Sequence, residues 1–222
     1  MGAVSLESVH DRMAAAARRS GRSAHHVTLI AVGKTHPVDV LLKAYENGHR
    51  EFGENRAAEL ATKAAAMPPD VRWHFIGPLQ RNKVRLVRPV VGLLHSMDRL
   101  NLGAAWLKGP GRAPPALLEV NLADEPQKAG VTVDAAPAMT GRLLDLGVDL
   151  RGVMAIPPLV DEPEHARPFF RQLARLRDEL AERYPVVREL SMGMTDDFEV
   201  AIEEGATMIR VGRAIFGPRI EH

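Results

Sequence analysis

The hydrophobic period of the chain switches repeatedly between that of a strand and that of a helix, and this alternation restricts the fold more than any other feature. Short apolar runs of strand length are separated by stretches whose apolar residues recur at helical spacing and that close on Gly48, Pro68, Gly147 or Gly205. We predict eight strands, which are VTLIAVG (27–33), REF (50–52), WHFIG (73–77), VGLLHS (91–96), ALLEVNL (116–122), GVMAI (152–156), RELSM (188–192) and TMIRVG (207–212).

Strands that are separated by helices pair in parallel through right-handed crossovers, and eight such units close into a barrel. We therefore predict an α/β protein that forms one domain over residues 1–222, a single (β/α)8 TIM barrel with an extra N-terminal helix over 5–20. An open doubly wound sheet is the alternative architecture. The Pro- and Gly-rich stretch 108–115 lies between a helix and a strand, so we interpret it as a loop and not as a domain boundary.

Composition excludes several classes of function. The 29 basic and 28 acidic residues leave a net charge of +1, which predicts no binding to nucleic acid or to a membrane through bulk charge. The absence of cysteine excludes disulfides, thiolate zinc sites and cysteine nucleophiles. No apolar stretch has the length of a membrane span, and the first twenty residues lack a signal-peptide core, so we expect a cytoplasmic protein. We also expect a monomer.

Two further clusters are given structural interpretations. The basic stretch 80–88 lacks the interleaved aromatic residues that stack on bases, so we interpret it as a solvated helix face. The pair His25-His26 precedes a strand without a third ligand at metal spacing, so no metal site is predicted there.

Active sites of (β/α)8 barrels form at the carboxyl ends of the strands, and two features stand there. The turns LSMGM (190–194) and RVGRAIFG (210–217) follow strands seven and eight, where this fold often binds phosphate. Gly193 and Gly212 let backbone N–H groups approach an anion. The alternative is that these glycines only permit the backbone conformation of the turn. Lys34 follows the first strand, where a partly desolvated amine could form a Schiff base with an aldehyde. The alternative is an ordinary surface lysine.

A lysine and a phosphate site at one barrel mouth suit pyridoxal 5′-phosphate, which carries both an aldehyde and a phosphate. A sugar phosphate bound by a Schiff-base aldolase would need the same two groups.

Several motifs resemble the pyridoxal-phosphate homeostasis proteins, a family of short barrels similar to the N-terminal domain of alanine racemase. They are AVGKTHP, REFGENR, WHFIGPLQRNK and LSMGMTDDFEVAIEEGATMIRVGRAIFG, and the match runs from about residue 5 to 217. The resemblance implies that Lys34 carries the cofactor as a Schiff base and that Arg210 faces the pyridine nitrogen. It implies that the phosphate is bound by Ser191 and by the backbone of Gly193, Gly212 and Arg213, and that Asn55, His74 and Ile76 line the ring. Asn121 and Met154 also correspond to family positions at the barrel mouth.

The chain departs from the family pattern at two positions. Gly33 stands where the family commonly has serine, so a hydrogen bond near the lysine is lost. Thr195 also replaces a serine but keeps the hydroxyl.

Arg210 follows two apolar residues inside a strand, where an ordinary charge would be badly placed. A guanidinium donates to a pyridine nitrogen without giving up its proton, which weakens the ring as an electron sink. An ion pair with Glu119 or with another acidic residue on a strand is the alternative explanation of this arginine.

A racemase needs acid and base groups on both faces of its substrate, and Lys34 serves only one. The chain has two tyrosines, Tyr45 and Tyr184, and both are predicted at helix ends on the opposite mouth of the barrel. The family resemblance implies a protein that holds pyridoxal 5′-phosphate, contributes to vitamin B6 homeostasis and passes the cofactor to apo-enzymes that depend on it, and the lack of a second acid–base group agrees with this role. The alternatives are a racemase-like enzyme acting on amino acids and a Schiff-base aldolase.

Overall fold

Eight parallel strands close into a barrel in the computed structural model, which describes residues 5–109, 111–125 and 127–218. Neighbours around the barrel follow the order β1-β2-β3-β4-β5-β7-β8-β9, and β9 pairs with β1. A short strand, β6, pairs with β5 outside this ring. The strands are β1 (Thr28–Val32), β2 (Glu51–Glu54), β3 (Arg72–Phe75), β4 (Val91–Met97), β5 (Ala116–Asn121), β6 (Val131–Thr132), β7 (Leu150–Met154), β8 (Glu189–Ser191) and β9 (Met208–Val211).

Helices cover the outside of the barrel and connect the strands. They are α1 (Leu6–Arg19), α2 (Val38–Glu46), α3 (Ala57–Ala66), α4 (Val84–Val87), α5 (Leu100–Leu107), α6 (Ala136–Asp145), α7 (Arg167–Arg183), α8 (Phe198–Glu203) and α9 (Arg213–Phe216). Short 3-10 turns occupy Ala24–His26, Arg81–Lys83 and Pro163–Ala166. No helix in the described ranges is long and apolar enough to cross a membrane.

The extra helix α1 begins at a side-chain cap, because the Ser5 hydroxyl accepts from the N–H of Ser8 at 3.2 Å. Its buried face presents Val9 and Met13 to the core. Its polar face pairs with α8, where Arg12 lies 3.0 Å from Glu199. The helix α1 therefore connects the beginning of the chain to α8, near its end.

The predicted barrel and its N-terminal helix are confirmed, and the open sheet is wrong because β4 pairs with β5 and closes the ring. The strand β6 was not predicted, since two residues carry no periodic signal. The basic stretch 80–88 forms the turn Arg81–Lys83 followed by α4, and the stretch 108–115 joins α5 to β5. No group of three metal-ligating side chains occurs among the residues that the structure describes.

The hydrophobic core has two parts. Most buried apolar side chains lie between the barrel and its helices. A small separate cluster of Leu93, Leu117, Met154 and the partly buried Met208 comes from strands β4, β5, β7 and β9. Because successive strand residues point to opposite faces, we assign this cluster to the barrel interior. Several buried polar residues share that interior, as described below.

Candidate functional site

Lys34 lies just past the carboxyl end of β1, and the backbone before it is closely held. The N–H of Gly33 donates to the carbonyl of Gly53 at 3.0 Å, and the carbonyl of Gly33 accepts from the N–H of His36 at 3.0 Å. A Cβ on Gly33 would lie 2.7 Å from a methyl carbon of Leu41 on α2. Replacement by serine would thus require Leu41 to move, which gives a packing reason for the departure from the family pattern at this position.

A buried ionic cluster lies behind this turn. The Nζ of Lys63, on α3, lies 2.6 Å from Glu54 Oε1, 2.6 Å from Glu59 Oε1 and 2.7 Å from the carbonyl oxygen of Gly33. The side chain of Lys63 is 5% exposed and that of Glu54 is fully buried. Burial raises the pKa of Glu54 to about 7, against the opposing hydrogen bond and charge of Lys63. The cluster thus fixes the backbone that carries Lys34.

Thr35 has a φ of +66°, a conformation that β-branched residues seldom adopt. Such strain costs about 1–3 kcal/mol and persists only where surrounding contacts enforce it. One such contact is the N–H of Thr35, which donates to Glu59 Oε1 at 2.8 Å. The same carboxylate oxygen accepts from Lys63, so the ionic cluster and the strained turn are one unit. The turn directs the chain away from β1 directly after Lys34.

Two glycine turns at the ends of β8 and β9 leave backbone N–H groups free for an anion. Gly193 has a φ of +89°, and a Cβ there would lie 2.5 Å from the Cβ of Ala201. A Cβ on Gly212 would lie 2.9 Å from the carbonyl oxygen of Val32. In the described part of the chain, the N–H groups of Gly193, Gly212 and Arg213 donate no hydrogen bond. Unpaired backbone amides at such turns can bind anions such as phosphate.

Arg210 is buried in β9 with 4% of its surface exposed. Its Nη1 donates to Ser191 Oγ at 2.6 Å and its Nη2 to the carbonyl oxygen of Ala155 at 2.9 Å. The expected alternative, an ion pair with Glu119, is wrong, because no carboxylate in the described ranges lies within 4 Å of this guanidinium. Burial lowers the pKa of Arg210 to about 10, so the group stays charged at neutral pH. Three of its five N–H donors remain for a ligand.

The structure distributes the predicted site residues between two levels of the barrel. Asn55 and Ile76 follow the carboxyl ends of β2 and β3, and the buried Oδ1 of Asn55 has no partner among the described residues. The side chain of Arg213 is 60% exposed and pairs with Asp196. These residues lie at the same mouth as Lys34.

Two predicted residues lie deeper. The Ser191 hydroxyl is fully buried and is bonded to His95 and Arg210, so its expected contact with phosphate competes with two interior partners. His74 bonds through both ring nitrogens, to Glu51 and to His95, and it lines a cavity at the opposite, amino-end mouth. This position does not fit the expected contact with the cofactor ring.

Several residues that the sequence analysis did not single out belong to this arrangement, among them Glu51, Glu59, Lys63 and His95. The spacing of Glu59 and Lys63 is that of an ordinary surface ion pair on a helix, so it gave no sign of burial. His95 is different, because a histidine inside the apolar run of β4 indicates a polar group in the barrel interior.

Comparisons with known proteins identify relatives that match nearly the whole chain. The family model of the alanine racemase N-terminal domain matches residues 4–219. The chain is 42% identical over 220 residues to the pyridoxal phosphate homeostasis protein of Aquifex aeolicus, with 96% of each chain covered. It is 40% identical over 224 residues to the homonymous protein of Escherichia coli, with 96% of this chain and 95% of the other covered.

Solved structures give the same relationship. PipY of Synechococcus elongatus, solved with PLP bound, superposes with a TM-score of 0.80 at 36% identity, covering 94% of this chain and 100% of that one. Alanine racemase of Corynebacterium glutamicum, at 15% identity and a TM-score of 0.68, shares the fold over 99% of this chain and 64% of its own.

Proposed function

Because the chain belongs to the family of pyridoxal phosphate homeostasis proteins, within the wider family of the alanine racemase N-terminal domain, we propose that it binds pyridoxal 5′-phosphate and contributes to vitamin B6 homeostasis. One observation carries the proposal for this site. Strands β1 and β9 pair directly, with Ala31 beside Val211, so Lys34 and the unpaired amides of Gly212 and Arg213 follow neighbouring strands. An amine and an anion cradle therefore share one mouth.

The residues present fit the cofactor in chemical type. Gly193, Gly212 and Arg213 offer N–H groups to the phosphate, and a side chain on either glycine would displace its neighbours. Arg210 offers charged donors from a buried position, where a pyridine nitrogen could accept. Asn55 offers a buried amide oxygen that lacks a protein partner among the described residues. We assign these roles as part of the proposal.

When bound, pyridoxal 5′-phosphate supplies an aldehyde that can form a Schiff base and a ring that can accept electrons. We assign the Schiff base to Lys34. The ionic cluster of Lys63, Glu54 and Glu59 holds the backbone on both sides of this lysine, which limits the positions its amine can reach. Arg210 keeps its proton, since its pKa of about 10 exceeds that of a pyridine, so this guanidinium would donate a hydrogen bond to the ring nitrogen without protonating it.

We propose a carrier without robust catalysis of its own, which acts in the cytoplasm and passes the cofactor to apo-enzymes that depend on it. The position of the two tyrosines supports this role, because a racemase needs a second acid–base group opposite its lysine. Tyr45 lies in the last turn of α2 and donates to Asp70 at 2.6 Å, and Tyr184 follows the end of α7. Both positions are at the amino-end side of the barrel, away from Lys34.

The proposal is tested by adding pyridoxal 5′-phosphate to the purified protein, recording its visible absorbance and mapping the label after borohydride reduction. A visible band with the label on Lys34 is expected. The variant Lys34→Ala should lose both, whereas Lys43→Ala, at an exposed site on α2, should keep both. A wild-type protein that takes up no cofactor would refute the binding function, and label on another lysine would refute the assigned residue.

The absence of robust catalysis is tested separately with L-alanine in heavy water. Exchange of the α-hydrogen should not exceed the rate with free cofactor. Faster exchange that disappears in Lys34→Ala would establish an enzyme in place of a carrier.

A further inference from the structure

A chain of polar side chains crosses the interior of the barrel, where folds of this kind usually hold branched apolar residues. Glu51 Oε2 lies 2.9 Å from His74 Nε2, and His74 Nδ1 lies 2.9 Å from His95 Nε2. His95 Nδ1 lies 2.9 Å from Ser191 Oγ, which accepts from Arg210 Nη1 at 2.6 Å. These five residues, from strands β2, β3, β4, β8 and β9, are called the interior chain below.

The interior chain joins opposite walls of the barrel. Strand β4 pairs with β3 and β5, and strand β8 pairs with β7 and β9, so the bond between His95 and Ser191 crosses the lumen. Both of these side chains are fully buried. Buried polar groups are costly unless each is bonded, and in a fully bonded network each bond polarises the next. A change in the protonation of one residue of the interior chain would therefore alter the hydrogen bonds of the others.

The two ends of the interior chain determine the direction of every hydrogen bond in it. An ionised carboxylate only accepts and a guanidinium only donates. With both histidines neutral, His74 therefore carries its proton on Nε2, which donates to Glu51, and its Nδ1 accepts from His95 Nε2. The Nδ1 of His95 then accepts the hydroxyl proton of Ser191, and the Ser191 oxygen accepts from Arg210. All donors point from Arg210 towards Glu51.

The charge states agree with this direction. Burial holds the pKa of His95 well below its ordinary value, so this ring is neutral and carries one proton. Burial raises the pKa of Glu51, but its hydrogen bond to His74 and the charge of Arg72 outweigh burial and lower the pKa overall. Glu51 is therefore ionised at neutral pH, as the assignment requires.

The Glu51 end is accessible. A cavity of about 580 Å³ opens at the amino-end mouth of the barrel, and Glu51, Arg72, His74, Glu189 and Met208 are among the residues that line it. The side chain of Glu51 is 19% exposed. The other end, Arg210, lies beneath the proposed cofactor site. The interior chain thus connects the cavity at one mouth with the arginine proposed to bind the cofactor ring near the other.

We propose that Glu51, His74 and His95 are positioning residues for Arg210, because they direct the Ser191 proton away from it and so hold the guanidinium in place for the cofactor ring. The inference rests on the proposed function, in which Arg210 binds the pyridine nitrogen. A glutamine at position 51 can donate as well as accept. If that glutamine donates to His74 Nε2, His74 and His95 each carry their proton on Nδ1. His95 then donates to the Ser191 oxygen, and the Ser191 hydroxyl proton is released to bond elsewhere.

The test compares Glu51→Gln with the matched control Glu189→Gln. Glu189 lines the same cavity, but its carboxylate accepts from Thr207 and not from the interior chain. Both variants change one partly exposed carboxylate to its isosteric amide, so both should fold, which thermal unfolding will verify. Histidine labelled with ¹⁵N reports which ring nitrogen carries the proton, with no cofactor present. The pH titration of the visible band reports the surroundings of bound pyridoxal 5′-phosphate.

In the wild type and in Glu189→Gln, we expect both His74 and His95 to carry their protons on Nε2. In Glu51→Gln we expect Nδ1-protonated rings to appear and the midpoint of the absorbance titration to move by about half a pH unit or more. A coloured Glu51→Gln protein that matches the control in both readouts would overturn the inference and leave the proposed function intact. A colourless wild-type protein would overturn both.

Discussion

Replacement of Lys63 by methionine tests whether the buried ionic cluster supports the turn that carries Lys34. The Nζ of Lys63 is within 2.6 Å of both Glu54 and Glu59, and the Glu54 side chain is fully buried. Removal of one partner from a buried ion pair typically costs about 3–5 kcal/mol, because the other charge remains without compensation. We expect Lys63→Met to lose free energy of unfolding in this range at pH 8.

The loss should depend on pH, and its sign follows from Glu54. Burial already holds the pKa of Glu54 at about 7, although Lys63 lowers it. Without Lys63 this pKa rises further, so the folded variant binds a proton that the unfolded chain, with a carboxyl pKa near its ordinary value, releases above about pH 4.5. Folded stability in the variant therefore recovers as the pH falls from 8 towards 5, and the deficit relative to wild type narrows.

Urea unfolding at pH 8 and pH 5 measures both quantities. The control Lys43→Met removes an exposed lysine from α2 and should stay within about 0.5 kcal/mol of wild type. The double variant Lys63→Met/Glu54→Gln should regain part of the loss at pH 8, because it no longer buries an uncompensated charge. A Lys63→Met protein within about 1 kcal/mol of wild type at pH 8, or one with a deficit independent of pH, would refute the argument.

Three further predictions concern single residues. Burial, with the charge of Asp98, raises the pKa of Glu119 to about 7, so the folded protein loses stability as the pH rises from about 4.5 through 7 and this carboxyl ionises. Glu119→Gln should raise the free energy of unfolding by up to about 3 kcal/mol at pH 8 and by little at pH 5. A gain that is the same at both pH values would contradict this. Thr35→Gly should relieve the strain of a φ of +66° and raise the melting temperature by a few degrees. Calorimetry without cofactor measures this change, and a lower melting temperature would show that the turn is not strained. Gly193→Ala should lower the free energy of urea unfolding more than Gly21→Ala does. Both glycines have a positive φ, but only a Cβ at Gly193 would meet a neighbour, at 2.5 Å. Equal losses would count against close packing at Gly193.

The barrel could be predicted from the sequence because each strand and each helix has a local signal. Apolar runs of strand length and glycines after helices recur in the order that a closed parallel sheet requires. The strand ends then show which residues share a mouth, so Lys34, Gly193 and Gly212 could be grouped before any coordinates. The pairing of Ala31 with Val211 places Lys34 and Gly212 after neighbouring strands, and β8, which precedes Gly193, pairs with β9 on its other side.

Side-chain contacts between distant strands could not be predicted in this way. The bond between His95 and Ser191 joins residues 96 positions apart, and nothing local relates them. Lys63 has the spacing of a surface ion pair with Glu59, and only the packing of α3 against the turn after β1 shows that it is buried. Such contacts depend on the depth of each side chain, which periodicity along one element does not report.

Closure of the ring also constrains how the protein is made. Strand β1 completes its pairing only with β9, and α1 joins α8 through Arg12 and Glu199, which are 187 positions apart. A chain that emerges from the ribosome beginning with α1 cannot form these contacts until nearly all of it has been synthesised. Until then, one edge of β1 is open to pairing with other chains. Translation that stalls before β9 should therefore yield a product recognised by chaperones and proteases. The synthesis of β9 determines when the open edge of β1 is covered and the risk of aggregation falls.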